Sequence, residues 1–189
     1  MQEDNLQGQI LIAQPRSLGG FFHHSLVLVT RHSRWGAHGL VLNRRMIPQE
    51  FSLRDLLVSV GIPLTEPVTG LVYLGGPVER HRVMVLHSDD WQGPSTERVA
   101  DGISCTVDIS ILLALSRGHG PSQSRVFCGM ASWAPGQLEG EQSGREPWTG
   151  QHRWLTMPAD PDMVFDMDSE DSWTKAIDRV VTDRVKDLL

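Results

Sequence analysis

Scarcities in this 189-residue chain exclude several kinds of chemistry. It has two cysteines, Cys105 and Cys128, and no CxxC pair. A structural zinc site, which takes three or four Cys/His ligands at short spacings, has nothing to build on. Both thiols lie in apolar stretches, Ile103 to Val107 and Val126 to Met130, and read as buried free cysteines of a reducing compartment. No stretch approaches the ~20 apolar residues of a membrane span. Ile10 to Ala13 is too short for the core of a signal peptide, so a cytoplasmic protein with no membrane partner is expected. There is no run of Lys/Arg, and Arg31, Arg34, Arg44, Arg45 and Arg54 are only loosely grouped. With a net charge of −6 and a pI near 5.7, direct binding to DNA is disfavoured, because phosphates need a basic face.

Catalytic signatures are also missing. No HExxH or other helical pair of histidines occurs among the eight His, and no metal or cofactor is expected. His23 and His24 are adjacent and would point to opposite faces of a strand. Gly129-Met-Ala-Ser132-Trp133 lacks the spacing of a serine nucleophile elbow. Gly75-Gly76-Pro77 reads as a tight turn between strands and lacks the Lys and Ser/Thr of a phosphate loop. After Asp108 to Ser116, the turn at Gly118 to Pro121 leads into a β-rich segment where a recognition helix would be needed.

The chain does carry strand and helix signals. Continuous apolar or β-branched runs at 10–13, 25–30, 37–43, 71–74, 82–87 and 125–128 predict strands, with two more flanking Asp101-Gly102. Ser52 with Asp55 three residues on, then Leu53, Leu56, Leu57 and Val60, predicts a capped helix ended by Gly61 and Pro63. Helices are also expected from Asp108 to Ser116, opening at Ala134 to Glu139, over 158–165, and along Trp173, Ala176, Ile177, Val180, Val181, Val185 and Leu188. Glu141 to Arg153 is polar, carries Gly144, Pro147 and Gly150, and is expected to be an exposed loop. Hairpin-like pairs between helices, without βαβ alternation, describe a single α/β domain of mixed α+β type.

Several segments together resemble one family. They are Asn5 to Pro15, Phe22 to Val29, Gly36-Ala-His-Gly39-Leu-Val-Leu-Asn43, Leu74-Gly75-Gly76-Pro77-Val78, Val85-Leu-His87, Trp133-Ala-Pro-Gly136-Gln137-Leu-Glu139 with Glu141, Trp154-Leu155 and Pro158-Ala-Asp160. In this order they are similar to the AlgH/YqgE family, over residues 5 to 180. The resemblance implies a curved, partly barrel-like mixed or antiparallel sheet flanked by helices. Members are commonly labelled transcriptional regulators, with no DNA-binding motif or reaction that defines them. Members often carry Cys at the end of the second strand, where this chain has Thr30. They also run directly from Gln-Leu-Glu-x-Glu to a Trp. This chain inserts Ser143 to His152, which makes Trp154 the counterpart.

The expected function is that of a nonenzymatic regulatory protein acting through a protein partner or a small ligand. Its cleft is expected to be lined by Asn43, His87, Trp133, Gln137 and Glu139, with Gly36, Gly39, Gly75, Gly76, Pro77 and Gly136 as structural positions. The alternatives are an enzyme or small-molecule-binding protein with His87 or Glu139 as general base, and a direct DNA-binding regulator.

Overall fold

In the computed structural model the described residues are 5–15, 20–47, 51–144, 153–167 and 171–186. The strands are β1 (Gln9–Ala13), β2 (Leu26–Ser33), β3 (Gly36–Val41), β4 (Val72–Leu74), β5 (Val78–His87), β6 (Glu97–Ala100), β7 (Ile103–Thr106), β8 (Ser124–Trp133) and β9 (Trp154–Pro158). The helices are α1 (Leu53–Ser59), α2 (Ile109–Ser116), α3 (Gln137–Ser143), α4 (Pro161–Phe165) and α5 (Ser172–Lys186), and a 3₁₀ turn spans Gly20–Phe22.

The strands form one sheet in the order β6-β7-β5-β8-β3-β2-β1-β9, all neighbours antiparallel, with β4 added parallel to β8. The sheet curls until its β6 edge returns to the segment before β1. Gln7 Nε2 donates to the Arg98 carbonyl at 3.1 Å. A side chain on Gly8 would lie 2.9 Å from the Val99 carbonyl oxygen. The result is a mixed α+β half-barrel, curved as the resemblance implied, with α1, α2 and α3 on its outer face and α4 and α5 packed against its inner core.

Alternation along the strands sorts residues between the two faces. Leu26, Leu28, Leu40, Leu42, Met84, Leu86, Val99, Ile103, Cys105 and Phe127 point inward into one core. Val27, Val29, Ala37, Ala131 and Trp133 face outward under α3, and Val72, Val85, Val126 and Cys128 face outward under α1 and α2. The expected capping box forms: Ser52 Oγ accepts from Asp55 N and Asp55 returns a bond to Ser52 N. The apolar stripes are narrower than expected. Val60 ends α1 and is 50% exposed, and on α5 Val181 is 52% exposed while Ala176 and Val180 are buried. These two valines follow the helical period but nothing packs over them. The side chains of Val185 and Leu188 lie outside the described residues.

Two departures from expectation shape the rest. Residues 141–143, expected to begin an exposed loop, complete α3, and Glu141 is buried; 145–152 lie outside the described residues. The strand expected at 82–87 starts at Val78, and between Val78 and Val83 its register against β8 jumps from Met130 to Cys128. Residues 79–82 therefore bulge out of the sheet, with Glu79 at φ +47. The bulge lies against two glycines. A Cβ on Gly129 (φ +77) would lie 2.6 Å from the Gly76 carbonyl oxygen and 3.3 Å from Arg80 Cα, and one on Gly76 would overlap the Met130 backbone at 1.9 Å. Only residues without a side chain fit there.

The two ends of the half-barrel differ. At one, Arg125 is buried over the Tyr73 ring at 4.0 Å and donates to the carbonyls of Leu42 at 2.7 Å and Val164 at 2.8 Å, which pins α4 across the opening. At the other end residues of β2, β3, β5, β6, β7 and β8 surround an open mouth.

Candidate functional site

The most distinctive sequence segment builds a buried polar centre. Gly136, at φ +75, turns the chain from β8 into α3, so that Gln137 and Glu141 fall one helical turn apart on one face. Glu141 Oε2 accepts from the indole nitrogens of Trp133 at 3.1 Å and Trp154 at 2.9 Å, and its Oε1 accepts from Gln137 Nε2 at 3.0 Å. Gln137 Oε1 in turn accepts from the Ala134 amide at 3.0 Å. Glu139 faces elsewhere. Leu6 N donates to His32 Nδ1 at 2.9 Å, which leaves the hydrogen on Nε2, and this donates to Glu139 at 3.0 Å. The segment thus ties α3 to β2, β8 and β9.

The five residues expected to share a cleft are placed in separate surroundings. Trp133 and Gln137 meet at Glu141, and Glu139 meets His32. His87 is fully buried; its Nδ1 donates to the Ser88 carbonyl at 2.9 Å and Trp91 abuts its ring edge-on. His87 pairs with Ser124 at the start of β8 and Trp133 ends that strand, so about 30 Å of strand at ~3.3 Å per residue separates them. Asn43 accepts from Leu26 N at 3.0 Å and donates to the His24 carbonyl at 2.8 Å. Asn43 also borders an open depression. Among the described residues, no group of three His, Cys, Asp or Glu is placed to hold a metal ion. Both cysteines are buried free thiols, and burial pushes Cys105 up to about 12.

That depression is a groove of about 570 Å³. Among the described residues its walls carry Arg44, Arg45, Arg80, His23 and His24, with Phe21 and Trp173, and no Asp or Glu. His23 stacks on His24 at 3.8 Å, and His24 stacks on Trp173 at 4.0 Å. The Arg44 guanidinium lies 4.8 Å over the Phe21 ring and donates to the His23 carbonyl at 3.3 Å. Its Nε is sealed from solvent with no hydrogen-bond partner. Burial holds the Arg44 pKa below its ordinary value. Arg80 comes from the β5 bulge. From sequence, Arg44 and Arg45 read as scattered surface charge, and His23 and His24 as opposed side chains; the adjacency of Arg44 and Arg45 to Asn43 in the chain was the available signal.

The described residues form a half-barrel of mixed α+β type with one fully bonded buried carboxylate and a cationic groove, and these features define the class of domain. The chain belongs to the AlgH-like family, whose model matches residues 10–184. It is 36% identical over 170 residues to a UPF0301 protein of Methylococcus capsulatus, covering 90% of this chain and 88% of that one. To a UPF0301 protein of Afipia carboxidovorans it is 39% identical over 186 residues, covering 94% and 85%. The solution structure of the AlgH protein from Pseudomonas aeruginosa superposes with a TM-score of 0.77 at 30% identity, over 95% of this chain and 91% of that one. A Corynebacterium diphtheriae protein of 23% identity shares the fold at a TM-score of 0.72, over 95% and 89% of the two chains. No helix among the described residues is long and apolar enough to cross a membrane.

Proposed function

We propose that this chain is a nonenzymatic regulatory protein that responds to a small ligand, and that the ligand is a ring-bearing phosphate-type anion held in the groove beside Asn43. The cationic lining carries the reading: among the described residues three arginines and two histidines converge with two further aromatic rings and no carboxylate, in a chain whose net charge is −6. Arg44 is partly desolvated without a carboxylate partner among the described residues, so an anion there would offset the cost of burying its charge. The stack of His23, His24 and Trp173 lays aromatic surface along the groove for a planar ring. Local positive potential in an acidic protein concentrates anions there.

The enzyme reading has less support. His87 is sealed in the core and Glu139 is engaged by His32, so neither candidate base meets an open site. Direct DNA binding also lacks a single face, because Arg44 and Arg45 line the groove, Arg31 lines the barrel mouth, and Arg34 stacks on Trp35.

The test is calorimetric titration of the full chain with ADP and with inorganic pyrophosphate. ADP is expected to bind with an affinity that falls with salt, and pyrophosphate more weakly for want of a ring. Arg44→Ala and the exposed Arg80→Ala should each weaken ADP binding by roughly tenfold, the scale of one charge-assisted hydrogen bond. Undetectable binding of both at millimolar concentration, or unchanged affinity in Arg80→Ala and Arg44→Ala, removes the reading.

A further inference from the structure

The open mouth of the half-barrel lies apart from the groove and shares no lining residue with it. β2, β3, β5, β6, β7 and β8 all contribute to a cavity of about 350 Å³ there. Its floor is apolar, made by the buried side chains of Met84, Met130 and Cys105. Its rim is polar, with Arg31, His38 and Arg82, and Glu97 facing them. Such a shape, an apolar floor under a few convergent polar groups at the mouth of a barrel, is a common form of small-molecule site.

His38 is the informative residue. Its Nδ1 is sealed from solvent and has no hydrogen-bond partner. Buried polar atoms in folded proteins are bonded as a rule, so an unbonded one on a residue that lines a cavity calls for an explanation. The surroundings indicate the sign of charge that a bound partner would carry. His38 is held below its ordinary pKa, first by burial and then by the charges of Arg31 and Arg82, which outweigh the opposing pull of Glu79. The field at the imidazole is therefore positive although Glu79 pairs with Arg82 at 3.0 Å. Arg82 reaches this position because residues 79–82 bulge from the sheet, and bulges commonly re-aim side chains at functional positions. The far end of the same barrel shows the filled alternative, where Arg125 satisfies its surroundings and α4 closes the opening.

We propose that the mouth is a second binding site, which takes a small aliphatic carboxylate: its head between Arg31, Arg82 and His38, its chain over Met84 and Met130. Neutral His38 carries one ring hydrogen and donates it to the carboxylate. The two guanidinium groups supply the charge, and the thioether floor adapts to the chain.

The probe is hexanoate, titrated into the full chain labelled with ¹³C at its methionine methyls and assigned with Met84→Leu and Met130→Leu. Saturable shifts of the Met84 and Met130 methyls are expected. Arg31→Ala, at an exposed position that leaves the core untouched, should weaken binding by roughly tenfold, and His38→Gln by several-fold. Arg44→Ala and Arg80→Ala should leave hexanoate binding unchanged, which separates this site from the groove. The proposal is overturned by an equal response to hexanol, which would make the cavity an apolar void without anion selectivity. It is also overturned if no saturable shift appears at tens of millimolar, or if the Arg31→Ala, Arg82→Ala double variant keeps full affinity.

Discussion

Glu141 and His38 flank the same pair of strands, β3 and β8, yet their surroundings are opposite. Both carboxylate oxygens of Glu141 are occupied, by two indoles and an amide. His38 has a ring nitrogen sealed from water and bonded to nothing. Arg125 belongs with Glu141, since its two carbonyl acceptors and the Tyr73 face complete it, and Arg44, with its unbonded Nε, belongs with His38. A buried polar group whose bonds are all internal holds elements together. One whose bonds are unfinished costs stability until a ligand completes them. Among these four groups the completed pair joins elements and the incomplete pair lines the two open sites; His87 Nε2, also sealed and unbonded, lies in the core against Trp91 and borders neither.

The largest expected effect is at a finished centre. Glu141→Ala strips the acceptor from three buried donors and should lower unfolding stability by about 4 kcal/mol in urea titration. Glu141→Gln keeps an acceptor for the indoles but sets an amide donor against Gln137, and should cost about half as much. Next comes Arg125→Met, which preserves the stem but leaves the Leu42 and Val164 carbonyls unbonded. Relief from burying a charge offsets part of this, for a net loss of about 2 kcal/mol. If either variant proves neutral, the distinction between finished and unfinished centres fails at its stronger end.

The unfinished centre should behave differently. His38→Leu removes a polar group that lacks a partner, so stability near neutral pH should change by less than about 1 kcal/mol. Its pH profile is the sharper measurement. The folded pKa of His38 lies below 6.5, so between that depressed value and 6.5 the unfolded chain binds more protons and stability falls as pH falls. His38→Leu should lose that part of the decline, read from urea midpoints across the window. An unchanged profile would mean that His38 does not sense the field of its two arginines. The smallest effect is reserved for the exposed pair Arg98 and Asp101, where Arg98→Ala should stay within about 0.5 kcal/mol.

The local elements were legible because local rules write them. Ser52 and Asp55 announce α1, Asp108 caps α2, and β-branched runs mark β1, β2 and β3. The β5 bulge was not legible, because it is a mismatch of length against β8 held open by Gly76 and Gly129. Glu141 read as loop because two of its three donors, Trp133 and Trp154, come from strands on either side of a polar insertion. Of the expected cleft residues, Asn43 borders the groove, but Phe21, Arg80 and Trp173 reach it from three distant segments that no spacing links. Sequence patterns report which face a side chain takes, and they carry little about which distant elements meet it.

β1 lies between β2 and β9, and Trp173 at the start of α5 donates to the carbonyl of Ala13, 160 positions away. On the ribosome the first strand is therefore made early and finished late. It can pair with β2 within moments of synthesis, but its other edge stays bare until β9 emerges. Until then the nascent chain presents an open template to any neighbouring strand, and closure of the sheet waits on β9, whose first residue, Trp154, is made long after Ala13 ends β1.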